Sequence, residues 1–293
     1  MRIVIALGGN ALIKKGQKGT AEEQFATAEQ AIVALKDIIE NNEVVITHGN
    51  GPQVGALLIQ QNATEEVPPM PLDVCDAMTQ GEIGYFIQRA IMRKTNRKSV
   101  TIITRVIVDE SDPAFQNPTK PIGPFYKEKK TPDMKMDAGR GYRKVVPSPQ
   151  PIKVLERKAI VPLLRDGLVV IAGGGGGIPI KSDGVGVEAV IDKDRCASLI
   201  AREIDAELLL IVTAVPGVYT AYGTKSQKLI KKMTVSEAKR LLAAGEFAEG
   251  SMKPKIEAAI DFIKHGGRKA IICGLENAAE ALKGKSGTEI TGD

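Results

Sequence analysis

Three times in 293 residues an apolar run ends in a glycine-rich turn. Ile3-Val4-Ile5-Ala6 leads into Leu7-Gly8-Gly9-Asn10-Ala11, and Val44-Val45-Ile46 into Thr47-His48-Gly49-Asn50-Gly51-Pro52. Leu168-Val169-Val170-Ile171 leads into the five glycines 173–177. A short apolar run stopped by glycine reads as a buried strand. Glycine lets the chain turn with positive φ and lets amide N–H groups approach an anion unobstructed. A helix starting just beyond adds the positive end of its dipole. One such turn says little, but three at strand ends point to a site that holds several phosphates or carboxylates together.

Helix-period stretches alternate with these runs, so the expected fold class is an α/β sandwich with a largely parallel sheet. Thr20 and Glu23 form a capping box before an apolar stripe of Phe25, Ala28, Ile32, Leu35 and Ile39. Helices are expected over 55–61, 72–94, from about 155, and over 194–203, 235–243, 254–264 and 278–282. Strands are expected over 43–47, 100–108, 208–212 and 269–273, with short extended pieces at 178–180 and 287–290. Gly81 and Gly84 in the long helix suggest close packing against another element or subunit. Pro162 should kink its helix or delay its start. Residues 111–147 break the alternation with six prolines and little periodicity, and their aromatic residues argue for a small folded flap.

No apolar stretch approaches the ~20 residues that span a bilayer, so no membrane partner is expected. The start of the chain shows no signal-peptide pattern. Cys75, Cys196 and Cys273 are scattered and read as reduced, buried thiols of a cytoplasmic protein. With only His48 and His265 present, histidine metal sites and Ser-His-Asp triads are poorly supplied. The net charge of +5 equals the excess of eight Lys/Arg over three acids within 117–146. That segment is either a solvated basic loop or an electropositive lid over a small anion, and the second reading is preferred. Nothing around it resembles a nucleic-acid-binding motif, so no nucleic-acid partner is expected.

Two lysine sites could carry chemistry. Lys193 and Asp194 stand at a loop-to-helix junction, where Asp194 is either a helix cap or a partner for the lysine. Lys255 follows Gly250-Ser251-Met252-Lys253-Pro254 in the first turn of a helix. A cation there opposes the helix dipole, and a bound anion would offset the repulsion. Phosphoryl transfer suits such groups, because it needs in-line positioning and cationic stabilisation of spread charge. The chain lacks the P-loop pattern, the protein-kinase signatures and the Rossmann fingerprint with its acidic ribose partner. It also lacks an evident general base, which favours an acceptor that is already ionised at neutral pH.

These residues resemble the carbamate kinases of the amino-acid kinase superfamily over essentially the whole chain. The matching stretches, in order, are 6–12 (ALGGNAL), 47–55 (THGNGPQVG), 78–85 (MTQGEIGY), 118–126 (PTKPIGPFY), 137–141 (DAGRG), 145–149 (VVPSP), 174–179 (GGGGIP), 187–194 (VEAVIDKD) and 250–255 (GSMKPK). The resemblance implies a three-layer αβα sandwich with a mostly parallel open sheet and a protruding lid. It implies an acceptor lobe over 1–205, with the lid inserted at 111–147, and a nucleotide lobe over 206–293. The implied reaction is carbamoyl phosphate + ADP ⇌ ATP + carbamate, with Mg²⁺ carried by the nucleotide phosphates and a homodimer as the assembly. Carried over by position, Lys193 and Lys255 clamp the transferring group, Asp194 orients them, and Lys120 adds charge from the lid. Asn10, Gly49, Asn50 and Gly51 would hold carbamate. Gly8, Gly9, Gly174 and Gly175 would wrap the nucleotide phosphates, and Thr213, Val215, Tyr219 and Met252 would form the adenosine pocket. The superfamily's lysine before the first glycine pair is replaced here by Ile5-Ala6-Leu7, and Lys120 is expected to supply the missing charge.

Overall fold

Strand β1 (Arg2–Leu7) buries five consecutive apolar side chains, Ile3 to Leu7, as a strand covered on both faces must. The computed structural model of the chain describes residues 1–8, 12–14, 16–136 and 141–293, with residues 124 and 125 described by their backbone alone. Helix α1 (Ala21–Asn41) opens on the predicted Thr20–Glu23 capping box. β2 (Glu43–His48) returns parallel to β1, with Ile3 beside Val44 and Ala6 beside Thr47. α2 (Gly51–Gln61) starts four residues before the predicted helix, because Pro52 fits a first turn whose N–H groups have no helical partner. α3 (Leu72–Lys94) has the predicted bounds.

The single strand expected over 100–108 is two. β3 (Ser99–Thr101) and β4 (Arg105–Val108) lie in different sheets. Buried Thr104 marks the break: its hydroxyl donates to Ile102 O and accepts the Gly173 N–H. The flap contains β5 (Lys120–Tyr126), β6 (Met134–Met136) and β7 (Tyr142–Val146), an antiparallel sheet in the order β5-β7-β6. β8 (Pro151–Val154) then pairs with β4. α4 (Arg157–Arg165) begins two residues after Leu155 and keeps Pro162 in its interior.

β9 (Val169–Ile171), β10 (Ile178–Ile180), α5 (Lys193–Glu203) and β11 (Leu208–Thr213) follow. A hairpin of β12 (Val218–Thr220) and β13 (Lys228–Ile230) precedes β14 (Lys232–Thr234) and α6 (Val235–Ala243). The chain closes with α7 (Met252–Lys264), β15 (Lys269–Gly274), α8 (Ala278–Leu282) and β16 (Thr288–Thr291).

The main sheet has the order β14-β16-β15-β11-β1-β2-β9-β3 and is parallel except that β14 and β16 run against the rest. Side chains alternate between its faces. Val4, Ala6, Val45, Leu209 and Ile211 pack towards α5 and α7, whereas Ile3, Ile5, Val44, Leu208 and Leu210 pack towards α1 and α3. This is the expected three-layer αβα sandwich. The boundary expected after residue 205 falls between β1 and β11, which are neighbours in this sheet, paired from Ile3–Leu208 to Ala6–Ile211.

Candidate active site

Two cavities open where the loops leave the carboxyl ends of the central strands, the usual ligand position of an open parallel sheet. The larger, about 640 Å³, is lined by Gly8, Lys14, Thr213, Val215, Gly274 and Asn277 among others. The smaller, about 260 Å³, is lined by Gly49, Asn50, Gly51, Lys120, Gly175 and Asp192 among others. Lys193, Ser251 and Lys255 line both. A group passing from one cavity to the other therefore passes two ammonium groups.

Three helices present their N-terminal ends to the smaller cavity. Gly51 and Pro52 begin α2, Lys193 and Asp194 begin α5, and Pro254 and Lys255 stand in the first turns of α7. Each end adds partial positive charge to that of the lysines. The Gly49 N–H is engaged with Leu7 O at 3.2 Å, so this amide faces the protein.

Asp194 is nearly fully buried and binds both lysines. Lys193 Nζ donates to Oδ1 at 2.5 Å and Lys255 Nζ to Oδ2 at 3.1 Å. Lys255 also donates to Ser251 O at 3.2 Å. Of the two roles open to Asp194, the helix cap belongs to Asp192, whose Oδ1 accepts the Asp194 N–H at 2.9 Å. Asp192 Oδ2 accepts from Lys120 Nζ at 2.9 Å. Burial works against ionisation of Asp192, but the Lys120 ammonium, helped by Lys193, holds its carboxyl well below the usual carboxylate range. Burial lowers the pKa of Lys193, as does the nearby Lys255, while Asp194 opposes the change.

The five-glycine run is packed closely by its neighbours. Thr47 Oγ1 donates to Gly173 O, and Gln80 Nε2 to Gly174 O. A Cβ on Gly174 would meet the His48 ring at 2.5 Å, and one on Gly176 would meet Ile191 O at 2.2 Å. Gly173, Gly175, Gly176 and Gly177 all have positive φ. The run is a sharp turn clasped by buried polar side chains. Gly174 lines neither cavity, and Gly175 lines the smaller one.

Beneath that turn lie two buried titratable groups. Burial lowers the pKa of His48 to about 4, with Lys193 adding to the effect and the Gly49 carbonyl opposing it. Burial raises the pKa of Asp76 to about 7, against the hydrogen bond from Asn50 and with help from Asp73. Asn50 Nδ2 donates to Asp76 Oδ1 and, at 2.8 Å, to Thr79 Oγ1.

The structure brings together Lys120, Lys193, Asp194 and Lys255, with Gly49, Asn50 and Gly51 around the smaller cavity and Gly8, Thr213 and Val215 around the larger. Tyr219 is not among the lining residues and packs near Tyr222, with ring centroids 5.9 Å apart. Met252 packs against the core. Gly9, Asn10 and the 137–140 part of the DAGRG motif lie outside the described residues. Sequence reasoning missed Lys14, Asp76 and Asp192. Lys14 follows the first glycine turn closely enough to have been a signal; the other two acquire partners only through the tertiary fold.

Among the described residues no group of three or more His, Cys, Asp or Glu side chains could hold a metal ion. No described helix is long and apolar enough to cross a membrane. Residues 1–274 match the amino acid kinase family. The carbamate kinase of Thermococcus kodakarensis is 47% identical over 99% of this chain and 98% of its own length. That of Pyrococcus furiosus is 48% identical with the same coverage. The solved carbamate kinase from Giardia lamblia bound to AMP-PNP superposes with a TM-score of 0.92 at 41% identity, covering 100% of this chain and 98% of that one. N-acetylglutamate synthase from Neisseria gonorrhoeae, at 15% identity and a TM-score of 0.63, shares the fold alone. With its two cavities joined at a pair of lysines, this chain belongs to the amino acid kinase family and, within it, to the carbamate kinases.

Proposed function

We propose that the chain transfers a phosphoryl group reversibly between carbamate and ADP, the carbamate in the smaller cavity and the nucleotide in the larger. The observation that carries this reading is that Lys193, Ser251 and Lys255 line both cavities. The migrating PO₃⁻ would cross at those two ammonium groups, which Asp194 holds in place, with Lys120 adding charge from the lid. Gly8, Thr213 and Val215 would contact the nucleotide, and Asn50 and Gly51 the carbamate. Preorganised cations of this kind stabilise charge as it spreads in the transition state.

No proton need move. The attacking oxygen of ADP and the leaving oxygen of carbamate are both anionic, and the two carboxylates lining the smaller cavity are each engaged with lysine. The divalent ion of the reaction would enter as part of the nucleotide complex, as Mg-ADP or Mg-ATP, carried by the nucleotide phosphates. Homodimer formation is supported by Met78, Tyr85 and Met92, exposed at seven-residue spacing on α3. A cytoplasmic setting is supported by three free, buried cysteines.

The test is ATP formation from carbamoyl phosphate and Mg-ADP by the purified chain, followed by luminescence, with acetyl phosphate as a comparison donor. ATP above the uncatalysed background with carbamoyl phosphate supports the reading, and preference for another acyl phosphate overturns it. Sedimentation of the same sample reads the assembly.

A further inference from the structure

We propose that Asp192 is a positioning residue that fastens lid residue Lys120 to the start of α5, making lid placement and alignment of the Lys193–Asp194 pair one geometric event. The two oxygens of Asp192 do different work. Oδ1 accepts the Asp194 N–H and caps the helix, while Oδ2 accepts from Lys120 Nζ, 72 residues away in the chain. Lys120 opens strand β5 and pairs with Val146 of β7, so its ammonium cannot shift far without moving the lid sheet. Lys193 cannot replace it, because its own ammonium is engaged with Asp194. A carboxylate that is only 13% exposed is costly to leave without its cation, so an open lid would strain the helix end that carries the catalytic pair.

The charge balance has the same consequence. Lys120, Lys193 and Lys255 face Asp192 and Asp194 around the smaller cavity, a net single positive charge among the described lining residues. With Lys120 swung away, that side-chain charge falls to zero and only the partial charges of the three helix ends are left to attract an anion. Closure therefore strengthens the acceptor site electrostatically as well as sterically.

The inference rests on the carbamate-transfer reading, and an asparagine at this position separates the two roles of the carboxylate. In Asp192→Asn the side-chain oxygen can still cap α5, but an amide stands where Lys120 requires an anion. The expected result is a roughly tenfold loss of kcat/KM for carbamoyl phosphate with the KM for ADP nearly unchanged. In a Lys120→Met background the same change should cost less than about twofold, because its partner is already gone. Additive effects, or an equal loss of ADP affinity, would overturn the proposal. Tryptic cleavage at lid residues Lys127, Lys129 and Lys130 gives a readout independent of turnover. Cleavage should speed up several-fold in Asp192→Asn, and an unchanged rate would overturn the proposal. A parent chain that forms no ATP defeats the reaction assignment and leaves the cleavage comparison to decide this one.

Discussion

Lys193 and Lys255 are held on opposite oxygens of a single buried carboxylate, that of Asp194. Neither ammonium can move towards a substrate without changing the balance on the other. Lys255→Ala should lower turnover by roughly 10²–10³-fold, the scale of one lost electrostatic stabiliser. Asp194→Asn should do comparable damage by leaving two cations to repel each other. The double variant should be little worse than either single one, because the three groups act as a unit. Steady-state kinetics with calorimetric nucleotide binding checks this; near-normal turnover in Lys255→Ala would remove that lysine from the transfer step.

His48 and Asp76, on either side of the 174–175 turn, should drive stability in opposite directions with pH. Asp76 has a pKa of about 7 against an ordinary 3.8, so the folded chain keeps a proton that the unfolded chain has released. Its contribution is fully present below pH 3.8 and is lost as pH rises to about 7. His48 has a pKa of about 4 against 6.5, so the unfolded chain takes up a proton that the folded one refuses, and stability is lost as pH falls through that range. In the intact chain the two trends offset. Asp76→Asn should therefore make Tm fall more steeply on acidification, and His48→Gln should make it fall as pH rises. Parallel curves for both variants and the parent would refute the opposition.

The two ends of the lid lie side by side, because Lys120 and Val146 face each other across β5 and β7, so a short linker can bridge its removal. A chain with residues 117–146 replaced by a short glycine linker should bind ADP nearly as before and lose most of its activity with carbamoyl phosphate. Isothermal titration with ADP, paired with the luminescent assay, distinguishes this from a general collapse, which would lower both.

Gly176 and Gly223 both have positive φ but differ in surroundings. A Cβ on Gly176 would meet Ile191 O at 2.2 Å, whereas one on Gly223 would meet nothing within 4 Å. Gly223→Ala should cost about 1–2 kcal/mol, the backbone penalty alone. Gly176→Ala adds a clash with main chain two residues before Lys193 and should exceed about 3 kcal/mol. Denaturant melts of both variants check the ranking.

Much of the sandwich was legible because period-two and period-3.6 patterns are local. The bounds of α3 and α8, the cap of α1 and the strands around Val45 and Leu210 follow directly from side-chain order. The break in 100–108 was not legible, since Thr104 ends a strand by bonding to Gly173, a partner brought in by the fold. The same holds at the site. The lysines at 193 and 255 announce themselves by their oddness at helix starts, but the assignment of capping to Asp192 and of cation binding to Asp194 depends on which oxygen faces which neighbour. The five glycines show the converse: a turn that suits phosphate equally suits a tight fit under His48 and Asn50, and sequence alone does not separate the two.

One ladder of main-chain hydrogen bonds runs from β2 through β1 to β11, so the strands on which the two cavities open belong to a single sheet. With the substrates placed as proposed, the span that the phosphorus must travel would be set by this shared sheet like a fixed gauge. Admission and release would then fall to the periphery, with the flap as the door and the sheet as its frame.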